Sequence, residues 1–197
     1  LMVFQPHLYD PALRARLAPS SIPLIAAAVR LSPEKEPGRV VDTVRELVRH
    51  GRAVRCVIAG DGPLRARLER RAAGLPITFL GYLDDRATLA ALLATGDVFV
   101  APGPVETFGL AALEALACGT PVVVDESSAL PEVIGEAGFA VPGTPEAYAA
   151  AVATLLELPQ TELRRAARAR AECFPWENTG RNFLTAHRLG PVRAGVP

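Results

Sequence analysis

Two carboxylates in this 197-residue chain stand where packing does not call for them. Glu106 lies in the loop Pro104-Val105-Glu106-Thr107, and Glu114 lies inside the apolar run Gly109 to Cys118. Ala and Leu dominate that run, and both favour helix. Gly119 suits a left-handed residue after the helix end, and Pro121 forbids continuation. The helix is expected from about Phe108 to Cys118, so the amides of Phe108, Gly109 and Leu110 should open it without intrahelical partners. Such amides suit a phosphate, and Gly109 lets a ligand come close to the backbone. The two carboxylates flanking them suit sugar hydroxyls. Either Glu alone reads equally well as a helix-start acid or a solvated position. The pair, set in this Gly, Phe and Pro pattern, favours a ligand.

A second constellation precedes it. Leu24 to Val29 is an apolar, partly β-branched run, expected as a buried strand. Arg30-Leu31-Ser32-Pro33-Glu34-Lys35 follows as a loop at its carboxyl end, the end where open α/β sheets bind ligands. Arg30 and Lys35 can converge there on an anion, with the Arg acting as a bidentate fork. Without context they are equally two surface cations.

These residues need a scaffold, and the pattern supplies one. Apolar runs at Val54 to Ala59, Ile77 to Leu80, Asp97 to Ala101, Val122 to Val124 and Phe139 to Val141 read as further strands. Helical stretches alternate with them: Arg39 to His50, Leu64 to Ala73, Asp84-Asp85 (as N-cap) to about Leu93, a short one near Pro131, and Pro145 to about Leu158. Alternation of this kind predicts an α/β domain, a Rossmann-like parallel sheet of about six strands with helices on both faces. Residues 1–21 read as linker with a helical piece near Ala12 to Leu17. Residues 22–173 read as the domain. Residues 174–197 read as a final helix, after the break at Phe174-Pro175-Trp176, and a frayed tail.

Composition excludes several classes. Half the residues are hydrophobic and 21% are charged, so a core is affordable and disorder is not expected. The 21 basic and 21 acidic residues balance, which argues against a nucleic-acid partner or a general pull to anionic membrane. Arg164-Arg165 and Arg168 alternate with alanines and read as a solvated helix face. Cys56, Cys118 and Cys173 are few, odd in number and far apart, against disulfides or a zinc site and in keeping with a reducing cytoplasmic setting. No apolar run approaches a membrane span. Gly60-Asp61-Gly62-Pro63-Leu64 is a turn before a helix, but Arg65 occupies the third glycine's place in a dinucleotide fingerprint, which counts against an NAD-dependent oxidoreductase. Glu132, after Pro131, reads as a first-turn acid.

The stretch Glu106-Thr107-Phe108-Gly109-Leu110-Ala111-Ala112-Leu113-Glu114-Ala115-Leu116-Ala117-Cys118-Gly119-Thr120-Pro121, with Glu, seven residues, then Glu, resembles the signature of family 4 retaining glycosyltransferases. The resemblance covers nearly the whole chain. It implies the C-terminal, donor-binding half of a two-domain GT-B enzyme whose N-terminal, acceptor-binding domain is the partner. The family's Arg-x-x-x-x-Lys implies diphosphate contacts for Arg30 and Lys35. The family often has Gly directly after that Lys, where this chain has Glu36-Pro37-Gly38. The resemblance further implies that Glu106 holds the donor sugar, with Thr107, Phe108, Gly109 and Leu110 beside the donor, and that Glu114 accepts from the ribose. Gly81, Tyr82 and Leu83 would run beside the base; Tyr82 reads equally as a packed aromatic. The implied substrate is a nucleotide sugar, with no cofactor and no metal. The wording is most similar to bacterial mannosyltransferases that use GDP-mannose, with UDP-glucose and UDP-N-acetylglucosamine open as donors and a lipid or glycan as acceptor. The isolated half is expected to bind donor without transferring sugar, and any membrane association is expected through the other half. A GT-B epimerase would need a histidine in the site, and His7, His50 and His187 are all remote from it in sequence.

Overall fold

The computed structural model describes residues 3–19, 21–106, 108–175 and 185. Six parallel strands, β1 (Leu24–Ala28), β2 (Arg55–Ala59), β3 (Ile77–Gly81), β4 (Val98–Ala101), β5 (Val122–Asp125) and β6 (Gly138–Val141), form one sheet in the order β3-β2-β1-β4-β5-β6. Among the described residues eight α-helices accompany them: α1 (Pro11–Leu17), α2 (Gly38–Arg49), α3 (Arg65–Arg71), α4 (Arg86–Thr95), α5 (Leu110–Ala117), α6 (Leu130–Ile134), α7 (Pro145–Glu157) and α8 (Gln160–Glu172). The expected α/β class and strand count hold.

Side chains alternate across the sheet with the period of a strand. Ile25, Ala27, Val98, Val100 and Val123 join the core under α2, α3 and α7. Ala26, Phe99, Val122 and Val124 join the core under α4, α5, α6 and α8. Burial on both faces explains why the central strands read as continuous apolar runs. Caps fall where the side chains allow. The Asp85 carboxylate accepts from the amides of Ala87 and Thr88, and Thr144 Oγ1 accepts from Ala147. Cys56 and Cys118 are buried, and burial pushes each thiol up to about 12, as expected of unreactive core residues.

The first residues pack against the domain as an extra layer. Phe4 and Ala18 are buried, and Arg14 donates to Asp97 at 3.0 Å and to the Ile22 carbonyl at 2.9 Å. The expected final helix lies outside the described residues except for Phe174, Pro175 and Thr185. Phe174 is described: its ring meets Phe108 edge-on at 5.9 Å.

Arg165 of α8 is exposed as expected, but Arg164 and Arg168 are not part of a solvated face. Arg164 donates to the carbonyls of Ala94 and Gly96, Arg168 to those of Phe4 and Ala117, and Arg170 to that of Val133. Three of these carbonyls lie in the last turns of α4, α5 and α6, where orphan acceptors and the negative end of the helix dipole attract cations. Alanines between the arginines let α8 approach closely enough for the long stems to lie along apolar surface.

The Gly60-Asp61-Gly62 turn also has a structural purpose. Gly60 adopts φ +130°, and a Cβ there would lie 2.0 Å from the Val29 carbonyl oxygen. The turn runs against the loop after β1, where the Val29 amide donates to Ala59, the Leu31 amide to Asp61 and the Leu64 amide to Leu31. Gly60→Ala should therefore lower stability by at least the roughly 1–3 kcal/mol of a forced backbone conformation, read as a fall in Tm, with displacement of the Arg30 loop seen in amide shifts. An unchanged Tm would show that the turn relaxes freely.

Candidate functional site

Strand order reverses at β1. The chain leaves β1 for β2 and β3 on one side, then returns through α4 to place β4 on the other. A crevice opens at such a switch point, because the connections leaving neighbouring strands diverge. The loops that leave β1 and β4 carry Arg30 to Lys35 and Pro102 to Gly109, so topology alone brings the two sequence constellations together. Lys35 Nζ donates to Glu106 Oε1 at 2.7 Å and to the Val105 carbonyl at 3.3 Å, across 71 and 70 residues respectively.

Two adjoining hollows share Ala28, Val29 and Ala111 as walls. The larger, about 420 Å³, is lined also by Arg30, Asp61, Tyr82 and Leu83. The smaller, about 50 Å³, is bounded by Gly103, Glu106, Gly109 and Leu110. Tyr82 is 74% exposed, so it is not an aromatic packed at a strand end but a free wall of the cleft. Gly81 ends β3 behind that wall, and its carbonyl accepts from the Gly60 amide at 2.7 Å. Thr107 lies outside the described residues.

Helix α5 opens later than the sequence suggests. Gly109 is its N-cap, at φ +73°. The amides that open it are therefore those of Leu110 and Ala111, not those of Phe108 and Gly109, while Ala112 and Leu113 already donate to the Gly109 carbonyl. The cause is Leu130: a Cβ at position 109 would lie 1.9 Å from Leu130 Cδ2, so the chain turns through a left-handed glycine before the helix begins. Leu110 and Ala111 still line the small hollow.

Glu114 sits one turn beyond Leu110 and Ala111, on the same side of α5. Its side chain is 21% exposed and is met by Arg86 Nη2 at 3.2 Å. Burial raises the Glu114 carboxyl above the ordinary value of 4.5, against the opposing pull of Arg86. Nothing in the spacing of the sequence points to Arg86, which looks like the first residue after a cap. Glu132 lies in the first turn of α6, as expected, and its backbone carbonyl accepts from Arg170. Glu36, in place of the family's glycine, takes a left-handed conformation at φ +48°, the only such non-glycine among the described residues. The loop thus keeps a turn that glycine would adopt without strain.

Among the described residues no group of three or more His, Cys, Asp or Glu side chains is arranged to hold a metal ion. Nor is any described helix long and apolar enough to cross a membrane.

Fold and site together define a Rossmann-like domain with an open cleft at its switch point. Residues 22–158 match the family described as glycosyl transferases group 1, and the chain belongs to that family. A GDP-mannose-dependent alpha-(1-6)-phosphatidylinositol dimannoside mannosyltransferase from Mycobacterium tuberculosis H37Ra is 48% identical over 185 residues, which cover 93% of this chain and 49% of that protein. A sulfoquinovosyl transferase from Arabidopsis thaliana is 32% identical over 183 residues, 88% of this chain and 35% of that protein. Among solved structures, sucrose-phosphate synthase from Thermosynechococcus elongatus superposes with a TM-score of 0.76 at 25% identity, over 93% of this chain and 50% of that one. The structural neighbours are GT-B glycosyltransferases. The chain spans about half the length, or less, of these relatives.

The raised Glu114 carboxyl has a consequence for stability. The unfolded chain releases this proton near 4.5 and the folded chain at higher pH. In between, the folded state holds more protons, so this group's contribution falls as pH rises through that window and stays unfavourable above it. Glu114→Gln should therefore raise Tm at pH 7, with the gain shrinking as pH drops through 4.5. A pH-independent difference, or a loss at pH 7, would show that the Arg86 pair outweighs burial.

Proposed function

We propose that this chain is the donor-binding half of a retaining glycosyltransferase that moves mannose from GDP-mannose to a lipid or glycan acceptor. The observation that carries the proposal is the Lys35–Glu106 contact beside the amides of Leu110 and Ala111. A cation, a helix start and a carboxylate at one point suit a sugar diphosphate. The 48% identity to a GDP-mannose-dependent enzyme favours that donor; a UDP-sugar is the competing donor.

In this reading the base lies in the larger hollow against Tyr82 and Leu83, over the backbone of Gly81. Glu114 accepts from the ribose hydroxyls. Arg30, Lys35 and the amides of Leu110 and Ala111 stabilise charge developing on the leaving diphosphate, with Thr107 and Phe108 beside it. Two cations and a helix start serve where a metal otherwise would, so the reaction is proposed to need no metal and no cofactor. Glu106 holds sugar hydroxyls. The bond from the anomeric carbon to the phosphate oxygen breaks while the acceptor oxygen bonds on the same face. The acceptor's proton passes to the departing phosphate. The acceptor site is assigned to a companion domain, through which the parent would meet a membrane, presumed to act from the cytoplasmic side. Because the chain spans about half of its relatives, binding without transfer is the activity proposed for it alone.

Calorimetric titration with GDP, UDP and ADP tests this. Tighter binding of GDP is expected, weakened at least tenfold by Glu114→Ala and by Arg30→Ala, the loss of about 1.4 kcal/mol. Tighter binding of UDP would replace the donor class. Failure of all three to bind, here and in the full-length parent, would remove the site. Glu106→Gln should abolish any extra affinity of GDP-mannose over GDP, since of the donor's parts only the sugar is proposed to meet Glu106.

A further inference from the structure

Arg39 lies at the start of α2, outside both hollows, and the site described above assigns it nothing. It is nonetheless the link between the two loops. Its Nη1 donates to the Pro102 carbonyl at 2.5 Å and to Asp125 Oδ2, and its guanidinium lies over the Tyr148 ring, 5.7 Å from the centroid. Asp125, at the end of β5, is 2% exposed. Its other oxygen, Oδ1, accepts from the amide and hydroxyl of Ser127, and its carbonyl accepts from Ser128 Oγ. Tyr148 OH donates to the Ala101 carbonyl at 3.2 Å. Two successive carbonyls at the end of β4 are thus held from below.

The consequences run upward. Pro102 leads into Gly103, whose missing Cβ would sit 3.6 Å from Lys35 Cα and 3.4 Å from Glu106 Oε1. Gly103 is therefore where the Lys35 loop and the Glu106 loop touch. The turn built on Asp125 reaches the same place from the other side, since the Ala129 amide donates to the Glu106 carbonyl at 3.3 Å. Arg39 follows Lys35 by four residues and is bonded to the strand end from which the Glu106 loop departs.

We propose that Arg39, paired with Asp125, is a positioning residue that sets the spacing of Lys35 and Glu106 from beneath the site. Its consequence for binding rests on the nucleotide-sugar reading above; its consequence for loop order does not. A cation is needed because the neighbouring carboxylate is buried. A planar fork with its face on Tyr148 is needed because the group must reach a carbonyl and a carboxylate at once.

Arg39→Ala would strand Asp125, so Arg39→Lys and Asp125→Asn are the informative variants. Arg164→Ala, which loosens α8 far from the site, serves as a control for lost stability. Hydrogen exchange without ligand is the first readout. Arg39→Lys should speed exchange at Ser127, whose amide donates to Asp125, and at Ala129, whose amide donates to Glu106, by about tenfold or more, with β2 unchanged. Arg164→Ala should leave those amides alone. GDP titration is the second readout. Arg39→Lys should weaken GDP binding on the order of tenfold, and less than additively with Lys35→Ala, because the two act through one contact. Uniform acceleration across the domain, or none at Ser127 and Ala129, would overturn the proposal, as would full additivity with Lys35→Ala. Faster local exchange in a protein that binds none of the nucleotides would keep the positioning role and remove the nucleotide-sugar reading instead.

Discussion

Strands β1 and β4 lie side by side although three helices and two strands separate them in the chain. Every feature of the site depends on this adjacency. A right-handed crossover from β1 carries the chain away in one direction, and the crossover into β4 brings it back on the other side. The loops above the two strands therefore face each other across a gap that no helix fills. Lys35 and Glu106 meet in that gap, and the first turn of α5 forms its floor beside Ala28 and Val29. The same adjacency demands tight packing below. Phe99, Val98 and Val100 in β4 and Ile25 and Ala26 in β1 are fully buried, leaving little freedom for the strand ends to shift.

Charge is arranged in depth around this point. Exposed cations would be weakly held and strongly solvated. Here Lys35 is engaged by Glu106, Arg86 by Glu114, and Arg39 by Asp125, with burial increasing from the rim inward. A buried pair adds little net stability against an apolar replacement, but breaking one side is costly. Such pairs therefore serve geometry more than stability, and the innermost one sits under both loops.

Much of this was legible in the sequence. Asp85 announced its helix because a side-chain oxygen next to an apolar period has one obvious use, and Pro145 announced another because proline suits the first helical position. The six strands announced themselves by β-branched runs between glycines and prolines. Glu106, Glu114, Arg30 and Lys35 stood out because each interrupts a pattern, and the structure brings Lys35 to Glu106. What stayed hidden was long-range. Gly109 looks like a helix residue until Leu130, from a later segment, occupies the space its Cβ would need. Arg164 and Arg168 look solvated because their partners are backbone carbonyls beyond α8, which no side-chain spacing records. Arg39 and Arg86 follow ordinary turn residues and reveal their use only through carboxylates that lie 86 and 28 residues away.

The clamps on α8 have a mechanical consequence. Three arginines join one helix to the ends of α4, α5 and α6, and Phe174, just past that helix, rests edge-on against Phe108 in the loop that leads into α5. A helix fastened at one end would swing; fastened along its length, α8 behaves as a splint. The helix whose opening turn borders the cleft is thereby braced at its far end, where Arg168 holds the Ala117 carbonyl.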